Sequence, residues 1–137
     1  MSCTPLYYQA FLNRFPQRTA AVCSAIAQAE PGGVLVHCGG GRDRTGLIVL
    51  VLLALVGVAT ADIAADHALS HLRRAELCAR AGRGEDTPAI ERIIADNGTT
   101  AHDLIGDIVG SHDMAAYLRS GGLPETGLIA LRDRLLD

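Results

Sequence analysis

Apolar positions recur at helical spacing along most of the chain, and they run together as a short strand-like block in one place only. Thr4-Pro5 reads as an N-cap followed by proline at the first helical position, which predicts a helix to about residue 15. Pro16 starts a second helix to about residue 29, with Val22, Ile26 and several alanines facing inward. The run Glu30-Pro31-Gly32-Gly33 breaks it. Val34-Leu35-Val36 then reads as a buried strand that ends at Cys38. The almost wholly apolar run from Leu47 to about Val56 predicts a helix buried on all sides and stopped by Gly57.

Thr60 caps a longer predicted helix to about residue 80, with Ile63, Leu69, Leu72 and Leu77 on one side. The polar stretch from Gly82 to Asp86 is the segment expected to be most flexible. Thr87-Pro88 opens a helix closed by Asn97-Gly98, and Thr100 with Asp103 three residues on resembles an N-terminal capping arrangement. Ser111 and Pro124 are expected to begin the last two helices, separated by Gly121-Gly122. No repeat, low-complexity tract or dividing linker is visible, so residues 1–137 read as a single domain.

The chemistry concentrates between the strand-like block and the apolar helix, where the chain reads His37-Cys38-Gly39-Gly40-Gly41-Arg42-Asp43-Arg44-Thr45-Gly46. A cysteine and an arginine six residues later are separated only by small or charged residues. Glycines let the backbone curl with its amides inward, forming a nest for an oxyanion. The position before a helix favours dianions and lowers the pKa of Cys38, so that the thiolate forms near neutral pH. Arg44 offers a planar fork of donors that can grip two phosphate oxygens. A Walker loop is excluded because Asp43-Arg44, not Gly-Lys, precedes Thr45, and a dinucleotide fingerprint fails because Arg44 replaces its third glycine. A plain flexible turn accounts for the glycines but not for the cysteine, two arginines and aspartate set among them.

These residues resemble the signature of the protein tyrosine phosphatase superfamily, His-Cys, five residues, then Arg. More narrowly they are similar to the bacterial tyrosine/dual-specificity group, whose loop usually reads His-Cys-x-Ala-Gly-Lys-Asp-Arg-Thr-Gly. The chain departs from that pattern with Gly40 for alanine and Arg42 for lysine. The resemblance extends to Tyr8 and Phe11, to Asp66-His67-Ala68-Leu69-Ser70, and to Tyr117-Leu118, Gly122-Leu123 and the C-terminal run from Leu131 to Leu136. It is weakest over residues 80–97. It implies an α/β, protein tyrosine phosphatase-like fold in which this chain is mostly helical, with one clear central strand at 34–37. The other strands of the sheet are missing, so the domain is expected to be N-terminally incomplete, the C-terminal part of a phosphatase domain. An isolated strand cannot satisfy its own backbone groups, which makes a second copy or another chain that completes the sheet an expected partner.

Composition narrows the field. A net charge of -3 gives no electrostatic case for nucleic acid or an anionic membrane. The apolar run after Gly46 is too short to span a bilayer, and no secretory signal is visible. The four cysteines, Cys3, Cys23, Cys38 and Cys78, show no metal-like spacing, so no metal or other cofactor is expected. Cys3, Cys23 and Cys78 read as inert small hydrophobes. An attacking thiolate needs a reducing compartment, which makes the cytoplasm the default location.

Roles follow from the residue types and the resemblance together. Cys38 is the expected nucleophile, forming a cysteinyl-phosphate that water hydrolyses. Gly39, Gly40, Gly41, Arg42, Arg44 and Thr45 would bind the substrate's phosphoryl group, with Arg44 gaining strength as charge builds on the equatorial oxygens. His37 would orient the loop and support the thiolate, with Gly46 as a further supporting residue of the motif. The resemblance implies that Thr45 donates to the sulfur and eases its departure. Upstream of Cys38 the only acid is Glu30, so Asp43 is the local candidate for general acid. The alternative for Asp43 is a loop-stabilising carboxylate paired with Arg42 or Arg44. The resemblance associates position 42 with phosphoinositide recognition, and arginine there is bulkier and more prone to pair with Asp43. Asp66 and Ser70 read as packing or helix-surface residues, and His67, His71, His102 and His112 as ordinary polar-face residues.

The expected function is a cysteine-dependent phosphatase, a hydrolase acting on phosphotyrosine, with phosphoserine, phosphothreonine and phosphoinositide left open. The alternatives are a non-catalytic phosphate-binding module from a truncated phosphatase, and a sulfurtransferase of rhodanese type, which also holds a reactive cysteine in an amide-lined loop.

Overall fold

The most apolar segment of the chain becomes its central helix. In the computed structural model, which describes residues 4–136, α3 (Asp43–Leu55) buries Leu47, Ile48, Leu50, Val51, Leu52 and Leu55 and lies against its neighbours on several sides. Ahead of it a 3-10 turn (Pro5–Tyr7) leads into α1 (Tyr8–Arg14) and α2 (Pro16–Ala27). After it come α4 (Thr60–Arg80), α5 (Thr87–Asp96), α6 (Ala101–Ser111), α7 (Met114–Ser120) and α8 (Glu125–Leu136). Helix α4 packs on α6, α2 packs on α7 and α8, and α3 touches α2, α4 and α7. One continuous core results, with Tyr8, Leu12, Cys23, Ile63, Ile105, Leu118, Leu128 and Leu131 essentially withdrawn from solvent.

The starts and stops have local causes. Proline opens the 3-10 turn, α2 and α5, where its missing N–H costs nothing. The Thr100 side chain accepts from the Asp103 amide at the head of α6, and Asp113 does the same for Ala116 at the head of α7. Gly57 and Gly98 take left-handed φ values of 78° and 68° just past α3 and α5, a region L-residues avoid.

The structure overturns the expected central strand at 34–37. Among the described residues there is no strand, and 34–37 is irregular backbone. A strand exists through its ladder, and among the described residues no second segment exchanges N–H···O=C bonds with this one. Nor is the segment buried, since Leu35 is 86% exposed and Val34 is also exposed. The described chain is therefore helical rather than α/β with a central strand.

Smaller corrections follow the same logic of context over pattern. Helix α3 starts at Asp43 rather than Leu47, so four residues of the loop motif form its first turn. Thr60 is the first residue of α4, not its cap. Ser111 ends α6 instead of opening α7. In α4 only the first part of the predicted apolar side is buried: Ile63 is covered, whereas Leu69, Leu72 and Leu77 are exposed, as is Val22 on α2. Cys23 and Cys78 are buried, and burial pushes the Cys23 thiol up to about 12. Cys3 lies outside the described residues. No helix among the described residues is long and apolar enough to cross a membrane.

Candidate active site

The loop at 38–42 is shaped by glycine and anchored by the first turn of α3. Gly41 sits at φ 67°, the left-handed region that lets the chain reverse before the helix begins. The Gly46 amide then donates to the Arg42 carbonyl at 2.7 Å, the first helical hydrogen bond. This places the amides of Gly40, Gly41 and Thr45 and the Thr45 hydroxyl toward the half-buried Cys38 sulfur. Burial pushes that thiol up, but the Thr45 hydroxyl and then the three amides outweigh it and hold the thiol down to about 6, from an ordinary 9. Thr45 Oγ1 is buried and has no hydrogen-bond partner within ordinary length among the described residues, which leaves its hydroxyl available to the nearby thiol.

The charged residues of the motif divide into two kinds. Arg44, on the first turn of α3, is exposed and has no ion pair among the described residues. Arg42 is only 3% exposed and is spent on protein contacts. Its two terminal nitrogens donate to the two carboxylate oxygens of Asp86 at 3.2 Å each, and its Nε lies 3.6 Å from Asp43 Oδ1. Arg74 of α4 completes the cluster, donating from Nε to Asp86 Oδ1 at 2.6 Å and from Nη2 to Oδ2 at 3.2 Å. Arg74 and then Arg42 hold the Asp86 carboxyl well below the usual carboxylate range. Asp86 belongs to the stretch expected to be mobile, and this cluster ties its end to the loop.

Behind the first turn of α3 lies a second, buried set of polar groups. The Tyr8 hydroxyl donates to the Asp43 carbonyl at 2.9 Å and lies 3.3 Å from His67 Nε2. A Cβ on Gly46 would come within 2.9 Å of that hydroxyl and 3.2 Å of His67 Cδ2, so glycine permits the contact. His67 is 6% exposed and is no polar-face residue, contrary to expectation. Burial, with His71 beside it, pushes its pKa down to about 4, so it is neutral at pH 7. Tyr8 is likewise held above its ordinary value by burial.

The expected site residues are thus partly assembled. Gly40, Gly41 and Thr45 converge on the Cys38 sulfur, whereas the half-buried Asp43 is seen against Arg42 Nε at 3.6 Å. His37 is exposed and makes no hydrogen bond among the described residues. Asp66 and Ser70 line a small cleft of about 40 Å³ with Gly41, Thr45 and Gly46. A larger groove of about 640 Å³ lies between α4, α5 and α6, lined mainly by alanines and aliphatics, and includes none of the loop. Among the described residues no three His, Cys, Asp or Glu side chains are grouped to hold a metal ion. Sequence reasoning missed Tyr8, His67, Arg74 and Asp86 as parts of the site. Each lies far along the chain from the loop, where no spacing rule reaches; the adjacent Arg73-Arg74 and Glu85-Asp86 pairs were the only signal of the ion cluster.

Comparison with known proteins gives the chain relatives. Residues 3–137 match the model of a family described as the tyrosine phosphatase family. A protein of Cupriavidus necator named "Putative tyrosine-protein phosphatase" is 38% identical over 79 residues, which are 53% of this chain and 29% of that protein. A tyrosine-protein phosphatase of Nostoc commune is 40% identical over 63 residues, 46% of this chain and 21% of that protein. The chain thus matches under a third of the length of either curated relative. No solved structure matches.

Proposed function

Because the chain belongs to the tyrosine phosphatase family, we propose that it hydrolyses phosphomonoesters through a cysteinyl-phosphate intermediate on Cys38. The observation that carries this reading is the Cys38 sulfur held among the Gly40, Gly41 and Thr45 amides and the Thr45 hydroxyl. Donors placed to stabilise a thiolate are equally placed to receive the oxygens of a phosphoryl group attached to it. In the first step the thiolate attacks phosphorus, the P–O ester bond breaks, and Asp43 gives its proton to the leaving oxygen. In the second, water attacks phosphorus while the Asp43 carboxylate takes a proton, and the S–P bond breaks with the Thr45 hydroxyl donating to the departing sulfur. Arg44, exposed on the first turn of α3 and without an ion pair among the described residues, binds the equatorial oxygens in both steps.

The preferred substrate in this reading is phosphotyrosine on a protein. Arg42 is buried and committed to Asp86 and Asp43, which leaves it as a brace for the loop rather than a contact for a lipid phosphate. Phosphopeptide turnover should therefore exceed phosphoinositide turnover. The test is hydrolysis of an aryl phosphate and of a phosphotyrosine peptide by the purified chain and by its Cys38→Ser and Arg44→Lys variants. Cys38→Ser should abolish turnover while it retains vanadate binding, and Arg44→Lys should be severe because a point charge cannot replace the fork. Full activity in Cys38→Ser would falsify covalent catalysis at this residue.

A further inference from the structure

Asp86 is shared by two arginines, and among the described residues two guanidinium nitrogens are left without a hydrogen bond, the buried Arg42 Nε and the Nη1 of the part-exposed Arg74. Arg42 donates to it from Nη1 and Nη2, whereas Arg74 donates edge-on, from Nε and Nη2. Arg74 Nη1 therefore has no acceptor among the described residues. It lies 2.8 Å from the point that a Cβ on Gly40 would occupy, so it rests directly on the cradle. The Arg74 side chain is 22% exposed, enough for solvent or a ligand to reach it. Two guanidinium charges face the one Asp86 carboxylate, and Asp43, 3.6 Å away, is nearest to Arg42. The charge left over lies on the Arg74 side. Guanidinium N–H groups aimed at a loop that binds one anion, and held there by a carboxylate on the opposite edge, are pre-organised for a second.

We propose that Arg74 is a specificity-determining residue of this site. Its free Nη1 takes a second anionic group of the substrate, a carboxylate or a second phosphoryl group, next to the phosphoester bound at Cys38. The inference rests on the 38–46 loop being a phosphoryl cradle. Gly40 is part of the device: a methyl at that position would push Nη1 away from the loop, since the side-chain end is what must yield.

Calorimetric titration of the Cys38→Ser protein with three phosphotyrosine peptides of equal length tests it. One peptide has neutral flanks, one has glutamate next to the phosphotyrosine, and one has a second phosphotyrosine there. The protein should bind one or both anionic peptides about tenfold more tightly than the neutral one, the value of a charge-assisted hydrogen bond. The two anionic arms tell carboxylate from phosphate. Adding Arg74→Gln should bring the affinities for the three peptides together. Arg74→Lys should keep part of the preference, and Gly40→Ala should weaken it with Arg74 still present. An absent preference, or one that survives Arg74→Gln, overturns the role of Arg74. Aryl phosphate turnover by the unmodified chain is read in parallel. Turnover without a preference overturns Arg74 alone, whereas binding of no peptide and no turnover overturn the cradle and Arg74 together.

Discussion

A thiol whose ordinary pKa is 9 and which sits at about 6 is mostly thiolate at neutral pH, and Cys38 owes this to a handful of nearby donors. Its alkylation by iodoacetamide should rise with pH around a midpoint near 6. Thr45→Ala should move that midpoint upward, because the Thr45 hydroxyl is the strongest of the groups that lower it. A midpoint near 9 in the unmodified chain would show that the amides do not face the sulfur. For Asp43 the leaving group is the probe. As general acid it matters most when the leaving oxygen is a poor one, so Asp43→Asn should slow phosphopeptide hydrolysis far more than nitrophenyl phosphate hydrolysis. Equal losses would mean that Asp43 serves the loop through Arg42, 3.6 Å away. The grouping of Gly40, Gly41 and Thr45 around Cys38 is legible in the sequence because a loop and one helical turn bring near neighbours together. Tyr8, His67, Arg74 and Asp86 are not, because only the packing of α1, α4 and the segment before α5 brings them to the loop.

The helices hold their positions through a few close approaches, and glycine marks two of them. A Cβ on Gly121, after α7, would lie 2.4 Å from the Pro16 carbonyl oxygen at the head of α2, and backbone cannot step aside. Gly121→Ala should cost about 1–3 kcal/mol in urea unfolding, the usual penalty for overpacking. On α8, a Cβ on Gly127 would meet Leu123 Cδ1 at 2.8 Å, the end of a side chain that can rotate. Gly127→Ala should cost less, since helix propensity returns part of the strain. Comparable losses at both positions would contradict this account of the packing. Most helices were legible from their prolines, caps and terminal glycines, all of them local devices. The exposed leucines of α4 and the 34–37 segment were not. Apolar spacing says which face could be buried, and a strand-like block says which residues could pair, but both need a neighbour that local sequence does not reveal.

For the molecule as a whole, acid should act through the groups beneath the loop. His67 titrates near 4 in the folded chain against an ordinary 6.5, so the unfolded chain binds its proton first. The neutral histidine's contribution is complete above pH 6.5 and is lost as pH falls from 6.5 to 4, a loss of about 3 kcal/mol for a shift of this size. Asp86 works at lower pH: its ion-paired carboxylate stabilises the fold above the ordinary carboxylate range, and that contribution goes as pH falls through and below it. Urea unfolding at a series of pH values should show the first decline, and His67→Asn should flatten it between 6.5 and 4. A decline of the same size in His67→Asn would assign it to other groups.

The central claim is that phosphorus becomes bonded to Cys38, and the intact mass of the protein quenched in acid during aryl phosphate turnover measures this. An added phosphoryl group is expected, located on Cys38 by fragmentation and absent from Cys38→Ser. Steady turnover with no adduct on Cys38, or with the adduct on another residue, would contradict that claim.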